Sequence, residues 1–147
     1  YQAFEAYSAS HIRGLDLTPA QFDIVATLGN TPGMSFKELG EKTLITKGTL
    51  TGVVDRLEAQ RLVRRSASAE DGRSMIVSLT PAGERLFGRA FAAHLGHLRL
   101  ALSGLSAAQL QRFETTLRSL RGAFESAPAA EPSPTVAGRS KTRRPGE

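Results

Sequence analysis

The sequence contains no cysteine. That removes disulfides, thiolate nucleophiles and cysteine-held zinc or iron–sulfur sites, and it excludes thiol-based redox sensing for these residues. Long apolar runs are missing as well; none approaches the ~18–20 residues that a membrane span requires. The start shows no signal-peptide pattern, so the expectation is a soluble, cytoplasmic protein with no membrane partner. It opens on Tyr1 rather than Met, which implies lost residues upstream. No nucleophile–base–orienter set, phosphate loop or metal cluster is visible, so neither an enzyme nor a cofactor is expected. His94-x-x-His97 brings two imidazoles to one helix face, too few for a tetrahedral metal site.

What is present points elsewhere. Of 147 residues, 40% are hydrophobic, enough for a core. Lys and Arg number 19 against 14 Asp and Glu, a formal net charge of +5. Such a balance draws polyanions.

Helix starts are strongly marked. Thr18-Pro19-Ala20-Gln21 is a capping box with proline at the first helical position, and Leu17 and Phe22 stand at its staple positions. The helix it opens should stop near Asn30, before the turn residues Thr31-Pro32-Gly33. Ser35-x-x-Glu38 opens a short helix over about 35–42. Thr46 caps another that runs to about Gln60, with Leu50, Val53, Val54 and Leu57 on one face.

After Arg61 the period changes to two. Residues 62–65 and 75–79 read as strands of a hairpin, with a long polar tip containing Asp71-Gly72-Arg73 and with Met75, Val77 and Leu79 sharing one face. Thr80-Pro81 starts a helix to about Ser103, lined by Leu86, Phe87, Phe91, Leu95, Leu98 and Leu102. Ser106-x-x-Gln109 opens the last helix, with Leu105 and Leu110 as a staple and Leu110, Phe113, Leu117, Leu120 and Phe124 at seam spacing. The first residues, to about Gly14, form a further helix. The fold class is therefore mainly α with a small β-hairpin wing, a winged helix-turn-helix plus a helical region.

Two features suggest nucleic acid. The face of the 46–60 helix opposite its apolar stripe carries Lys47, Gly48, Thr49, Thr51, Gly52 and Arg56. Small and hydroxylated residues let a helix enter the major groove closely, and its N-terminus attracts phosphate. The hairpin tip offers Arg73 to a minor groove, with Asp71 able to aim its guanidinium. Residues 42–73 hold seven Lys or Arg against four acids. The same face could instead be an ordinary solvated surface.

At this point the chain resembles the MarR (multiple antibiotic resistance regulator) family. The resemblance rests on Ile45 to Gly83. Val54-Asp55-Arg56-Leu57-Glu58 leads there into Leu62-Val63, and the wing Asp71-Gly72-Arg73 is followed by Leu79-Thr80-Pro81-Ala82-Gly83. Leu17 to Leu28 fits the family's second helix. Gln60-Arg61 departs from it, standing where many members have a glycine-containing turn.

The resemblance implies a homodimer joined through its first and last two helices. Each subunit offers one winged helix to half of a pseudo-palindromic operator in double-stranded DNA. It further implies repression relieved by a small phenolic or anionic effector. Residues 1–16 and 81–125 would form the helical dimerisation region, residues 17–80 the DNA-binding domain, and residues 126–147 a disordered basic tail. The expected DNA-binding set is Ser35, Thr46, Lys47, Gly48, Thr49, Thr51, Gly52, Arg56, Arg64, Asp71 and Arg73. His11, Arg13 and Asp23 are expected to border the effector site. A winged helix used only for protein–protein contact is the rival expectation. The Phe113–Phe124 seam independently favours a dimer, because a monomer would leave it as an exposed apolar patch.

Overall fold

The computed structural model describes residues 1–43, 45–69 and 72–128. In chain order its elements are α1 (Gln2–Arg13), α2 (Pro19–Leu28), β1 (Met34–Ser35), α3 (Phe36–Lys42), α4 (Lys47–Ala59), β2 (Val63–Ala67), β3 (Met75–Leu79), α5 (Pro81–Leu102) and α6 (Ala107–Glu125). The chain divides into two compact units, Tyr1–Gly104 and Leu105–Glu147. The tail expected over 126–147 lies outside the described residues from 129 onward.

Each capping box forms. Thr18 Oγ1 accepts from the Gln21 N–H at 3.2 Å while Gln21 Oε1 accepts from the Thr18 N–H at 3.0 Å. Ser35 with Glu38 and Ser106 with Gln109 repeat this reciprocal pairing. Thr80 accepts from the Gly83 N–H at 3.1 Å and donates to the Arg61 carbonyl at 2.6 Å. That second bond fastens the start of α5 to the end of α4.

Two apolar clusters fill the first unit. Ile24, Val25, Leu28, Leu39, Leu50, Val53, Val54, Leu57, Val63, Val77 and Leu79 bury the winged helix. Ile12, Leu17, Phe22 and Ala90 join α1, α2 and α5. Helix α2 serves both: Phe22 points to one cluster and its neighbours Ile24 and Val25 to the other. A helix buried on two sides loses a single clean apolar stripe.

The sheet departs from the expected hairpin, because it has three antiparallel strands in the order β1-β3-β2. Strand β1 pairs Met34 with Val77 and Ser35 with Ile76. Two residues are too few to show a period, and the strand exists because Gly33 brings the chain against β3. Gly33 has φ +107°, and a Cβ there would sit 2.7 Å from the Val77 carbonyl oxygen. Along β3 the expected alternation also fails at one end: Val77 and Leu79 are buried but Met75 is exposed, since it pairs with Ala67 beside the tip of the hairpin, away from the core.

Candidate nucleic-acid interface

Helix α4 buries Leu50, Val53, Val54 and Leu57 and turns its other side outward. Lys47, Gly48, Thr49, Thr51 and Arg56 are exposed on that side, and Gly52 is half-buried. The two glycines have no packing reason in the unit. Nothing stands within 4 Å of a Cβ placed at Gly48, and at Gly52 the nearest atom is the mobile Arg56 guanidinium at 3.9 Å. In the interior of the helix, where Gly52 lies, glycine costs roughly 1 kcal/mol relative to alanine. Its use here leaves the outer surface low enough for a close approach from outside.

The N-terminus of α4 also differs from its neighbours. Hydroxyls cap α2, α3, α5 and α6, whereas Thr46 makes no side-chain cap bond. Its hydroxyl donates instead to Thr49 Oγ1 at 3.1 Å. The positive end of α4, with Lys47 in its first turn, is thus left to meet an anion.

The wing is tied to α4 by Arg65 on β2. One arm of its guanidinium donates to Asp55 and the other to Glu58, both at 2.5 Å. The ring of Phe36, on α3, lies 5.4 Å beneath it, and the Arg65 N–H also reaches Glu58 Oε1 at 3.2 Å. In the sequence Arg65 counts only as one of the seven Lys or Arg of residues 42–73. In the structure it draws Asp55 and Glu58 sideways, and one side chain aligns α3, α4 and β2.

A family model described as MarR family matches residues 15–74. The HTH-type transcriptional regulator YfiV of Bacillus subtilis is 33% identical over 77% of this chain and 71% of its own. The homoprotocatechuate degradative operon repressor of Escherichia coli is 34% identical over 60% of this chain, and the match spans 60% of that repressor's length. Among solved structures, Bordetella bronchiseptica BpsR, described for regulation of its DNA binding by 6-hydroxynicotinic acid, superposes with a TM-score of 0.72. It is 28% identical, with 82% of this chain and 86% of that chain covered. The chain belongs to the MarR family.

In this MarR-family winged helix, the structure gathers Thr46, Lys47, Gly48, Thr49, Thr51, Gly52 and Arg56 on α4 and its cap. Arg73 is exposed in the turn beyond β2, where Ser68 N–H to Ser74 O at 2.8 Å closes the tip. Asp71, the expected partner of Arg73, lies outside the described residues. Arg64 is exposed on β2, with Nε donating to Ser78 Oγ at 3.2 Å. Ser35 is half-buried and its hydroxyl is occupied in the cap, accepting from the Glu38 N–H and donating to the Glu38 carboxylate. Those Ser35 donors hold the Glu38 carboxyl below the usual carboxylate range.

Of the expected effector residues, Arg13 is exposed at the end of α1 and Asp23 is half-buried on α2. His11 is turned onto α5, where its Nδ1 stands 3.2 Å from that of His94. Among the described residues no group of three or more His, Cys, Asp or Glu is placed to hold a metal ion. No described helix is long and apolar enough to cross a membrane.

Proposed function

We propose that this protein is a sequence-specific transcriptional repressor that binds a pseudo-palindromic DNA operator as a homodimer. The open outer face of α4, floored by Gly48 and Gly52 beside an uncapped N-terminus, is the observation that carries the reading. In this account α4 enters the major groove, with Lys47 and Thr46 on phosphate and Thr49, Thr51 and Arg56 toward base edges. Arg73 enters the adjacent minor groove, aimed by Asp71, and Arg64 adds a backbone contact. Ser35 contributes through the orientation of α3. No catalytic role is assigned.

Release by a small aromatic acid or phenol completes the proposal. It is supported by the two relatives whose descriptions name a homoprotocatechuate operon and 6-hydroxynicotinic acid. Arg13, His11 and Asp23 are the proposed contacts, Arg13 supplying the charge that an anionic effector needs.

The test is binding to a fluorescent duplex drawn from the promoter nearest the gene, with wild type and Arg73→Ala compared at two salt concentrations. The expected result is salt-sensitive binding that Arg73→Ala weakens by about tenfold or more, a loss of at least ~1.4 kcal/mol. Absence of binding at low salt to that duplex and to random DNA would favour the protein-contact reading.

A further inference from the structure

The sequence has three histidines, and the fold collects all of them at one place. Tyr7 of α1 stacks on His97 of α5 with ring centroids 4.0 Å apart, and its hydroxyl donates to the His97 carbonyl at 3.0 Å. His97 stacks in turn on His11 of α1 at 4.3 Å, with 17° between the planes. His11 Nδ1 faces His94 Nδ1 at 3.2 Å, and His94 Nε2 meets the Ser8 hydroxyl at 3.1 Å. Phe22 of α2 closes the row with its edge on His94 at 4.8 Å. His94 is 6% exposed, and His97 Nε2 is buried without a hydrogen-bond partner among the described residues.

This arrangement tolerates few protons. Of the two facing Nδ1 atoms, one must donate and the other accept, so a proton on both would set N–H against N–H. A single imidazolium would keep that bond but would lie against buried His94 and Phe22 and the half-buried His97. The titratable and charged residues on the surrounding helices are Glu5, Tyr7 and Arg13 on α1, Asp23 on α2, and Glu84, Arg85, Arg89 and Arg99 on α5. Of these, Tyr7 faces the rings through its stack. Burial first, and the neighbouring imidazoles second, push His11 and His94 below the ordinary histidine value. A histidine lowered in the folded state leaves stability unaffected above the unfolded value, near 6.5. As pH falls through that value, the unfolded chain takes up protons that the cluster refuses, and stability is lost.

We propose that the Tyr7–His97–His11–His94 row is an acid-sensitive latch, which holds α1 on α5 while the facing His11 and His94 rings are neutral and frees α1 when both are protonated. The consequence for DNA rests on the function proposed above: α1 belongs to the dimerisation region, so acid should loosen operator binding. The sign is informative. Added positive charge alone would tighten binding to a polyanion as pH falls, whereas the latch weakens it.

The test uses the full chain in three arms. In the first, nitrogen-15 NMR follows the three imidazoles from about pH 8 to 5. Two rings are expected to titrate below the ordinary value, with α1 signals shifting in step. Three rings at the ordinary value, with α1 unmoved, would overturn the proposal. In the second, thermal melts at about pH 7.5 and 5.5 compare wild type with His11→Phe and His94→Phe, which keep a ring to stack but cannot titrate. The wild type should lose more of its midpoint than either variant, and parallel losses would overturn the latch. In the third, affinity for a random-sequence duplex at constant ionic strength should fall by about tenfold or more in wild type, and by less than about threefold in His11→Phe. Binding that tightens in acid would count against the latch. No duplex binding at either pH would defeat the DNA-binding reading, and the first two arms would still decide the latch.

Discussion

Arg61 sits in the left-handed region at φ +58°, at the position just past α4 that glycine most often fills. The bonds around it complete a Schellman closure: Arg61 N–H to Glu58 O at 2.8 Å and Leu62 N–H to Leu57 O at 2.9 Å. The sequence shows the missing glycine but not its compensation, which is a long-range bond from the Thr80 hydroxyl to the Arg61 carbonyl. A left-handed non-glycine residue costs ~1–2 kcal/mol, and glycine loses ~0.5–1 kcal/mol more entropy on folding. Arg61→Gly should therefore stabilise the protein by about 0.5–1 kcal/mol, read by urea denaturation; a destabilised variant would mean that the arginine side chain contributes more than its backbone costs. Arg65 is the opposite case, for its type was legible but its role was not. Its partners lie seven and ten residues upstream on another element, where no local pattern points. With its side chain 23% exposed and its acids 57% and 38% exposed, each pair is worth at most ~1 kcal/mol after solvent screening. Arg65→Met should thus cost about 1–2 kcal/mol in stability. A double-mutant cycle with Glu58→Gln should return a coupling of a few tenths to ~1 kcal/mol, and zero coupling would show that the wing is aligned by its strand bonds alone.

Helices were the most legible elements because their starts are written in contiguous residues. Thr18-Pro19, Ser35-x-x-Glu38, Thr80-Pro81 and Ser106-x-x-Gln109 each form the cap that their spacing predicts. The two-residue strand β1 was not legible, since its reason is the edge of β3 more than forty residues away. Nor was the junction between α5 and the wing. Gly83 lies in the first turn of α5, and a Cβ there would stand 2.0 Å from the Leu62 carbonyl oxygen. That obstacle is backbone, and it is held in place by the Thr80 N–H to Leu62 O bond at 3.0 Å. Glycine normally weakens a helix, so Gly83→Ala would be expected to help on propensity by about 1 kcal/mol. The contact reverses the sign: overpacking of this kind costs ~1–3 kcal/mol, and the variant should be less stable by circular-dichroism melting. A neutral or stabilised Gly83→Ala would mean that α5 can shift away from the wing freely. At Gly48 the same change meets open space, so Gly48→Ala should stabilise the free protein by up to ~1 kcal/mol while weakening duplex binding. A variant that gains stability and keeps full affinity would remove close approach as the reason for that glycine.

The first unit and α6 each leave apolar surface uncovered. In the first unit, Ala3, Phe4, Tyr7, Leu98, Ala101 and Leu102 line an open groove of about 430 Å³ between α1 and α5. On α6, Phe113, Leu117, Leu120 and Phe124 are between 49% and 74% exposed at alternating spacings of four and three. The expected lining of α5 holds over its first half, where Leu86, Phe87 and Phe91 pack against the two clusters, and fails further on, where Leu95 and Leu102 face out. The periodicity of these residues was readable in the sequence, but whether a stripe faces its own core or another chain is not encoded in its period. A seam of this kind is ordinary for a dimer and unusual for a monomer. The protein should therefore run at twice its chain mass by light scattering. Leu117→Glu with Leu120→Glu, in the exposed seam of α6, should shift it toward the monomer while leaving the fold of the first unit intact by NMR. On a duplex carrying two half-sites one helical turn apart, the paired substitution should lower affinity by about 10²-fold or more, since the second half-site contact is no longer intramolecular. On a duplex with one half-site the two proteins should bind nearly alike. Equal losses on both duplexes would instead place the effect within the winged helix, and a wild type that is already monomeric would leave these apolar faces to some other partner.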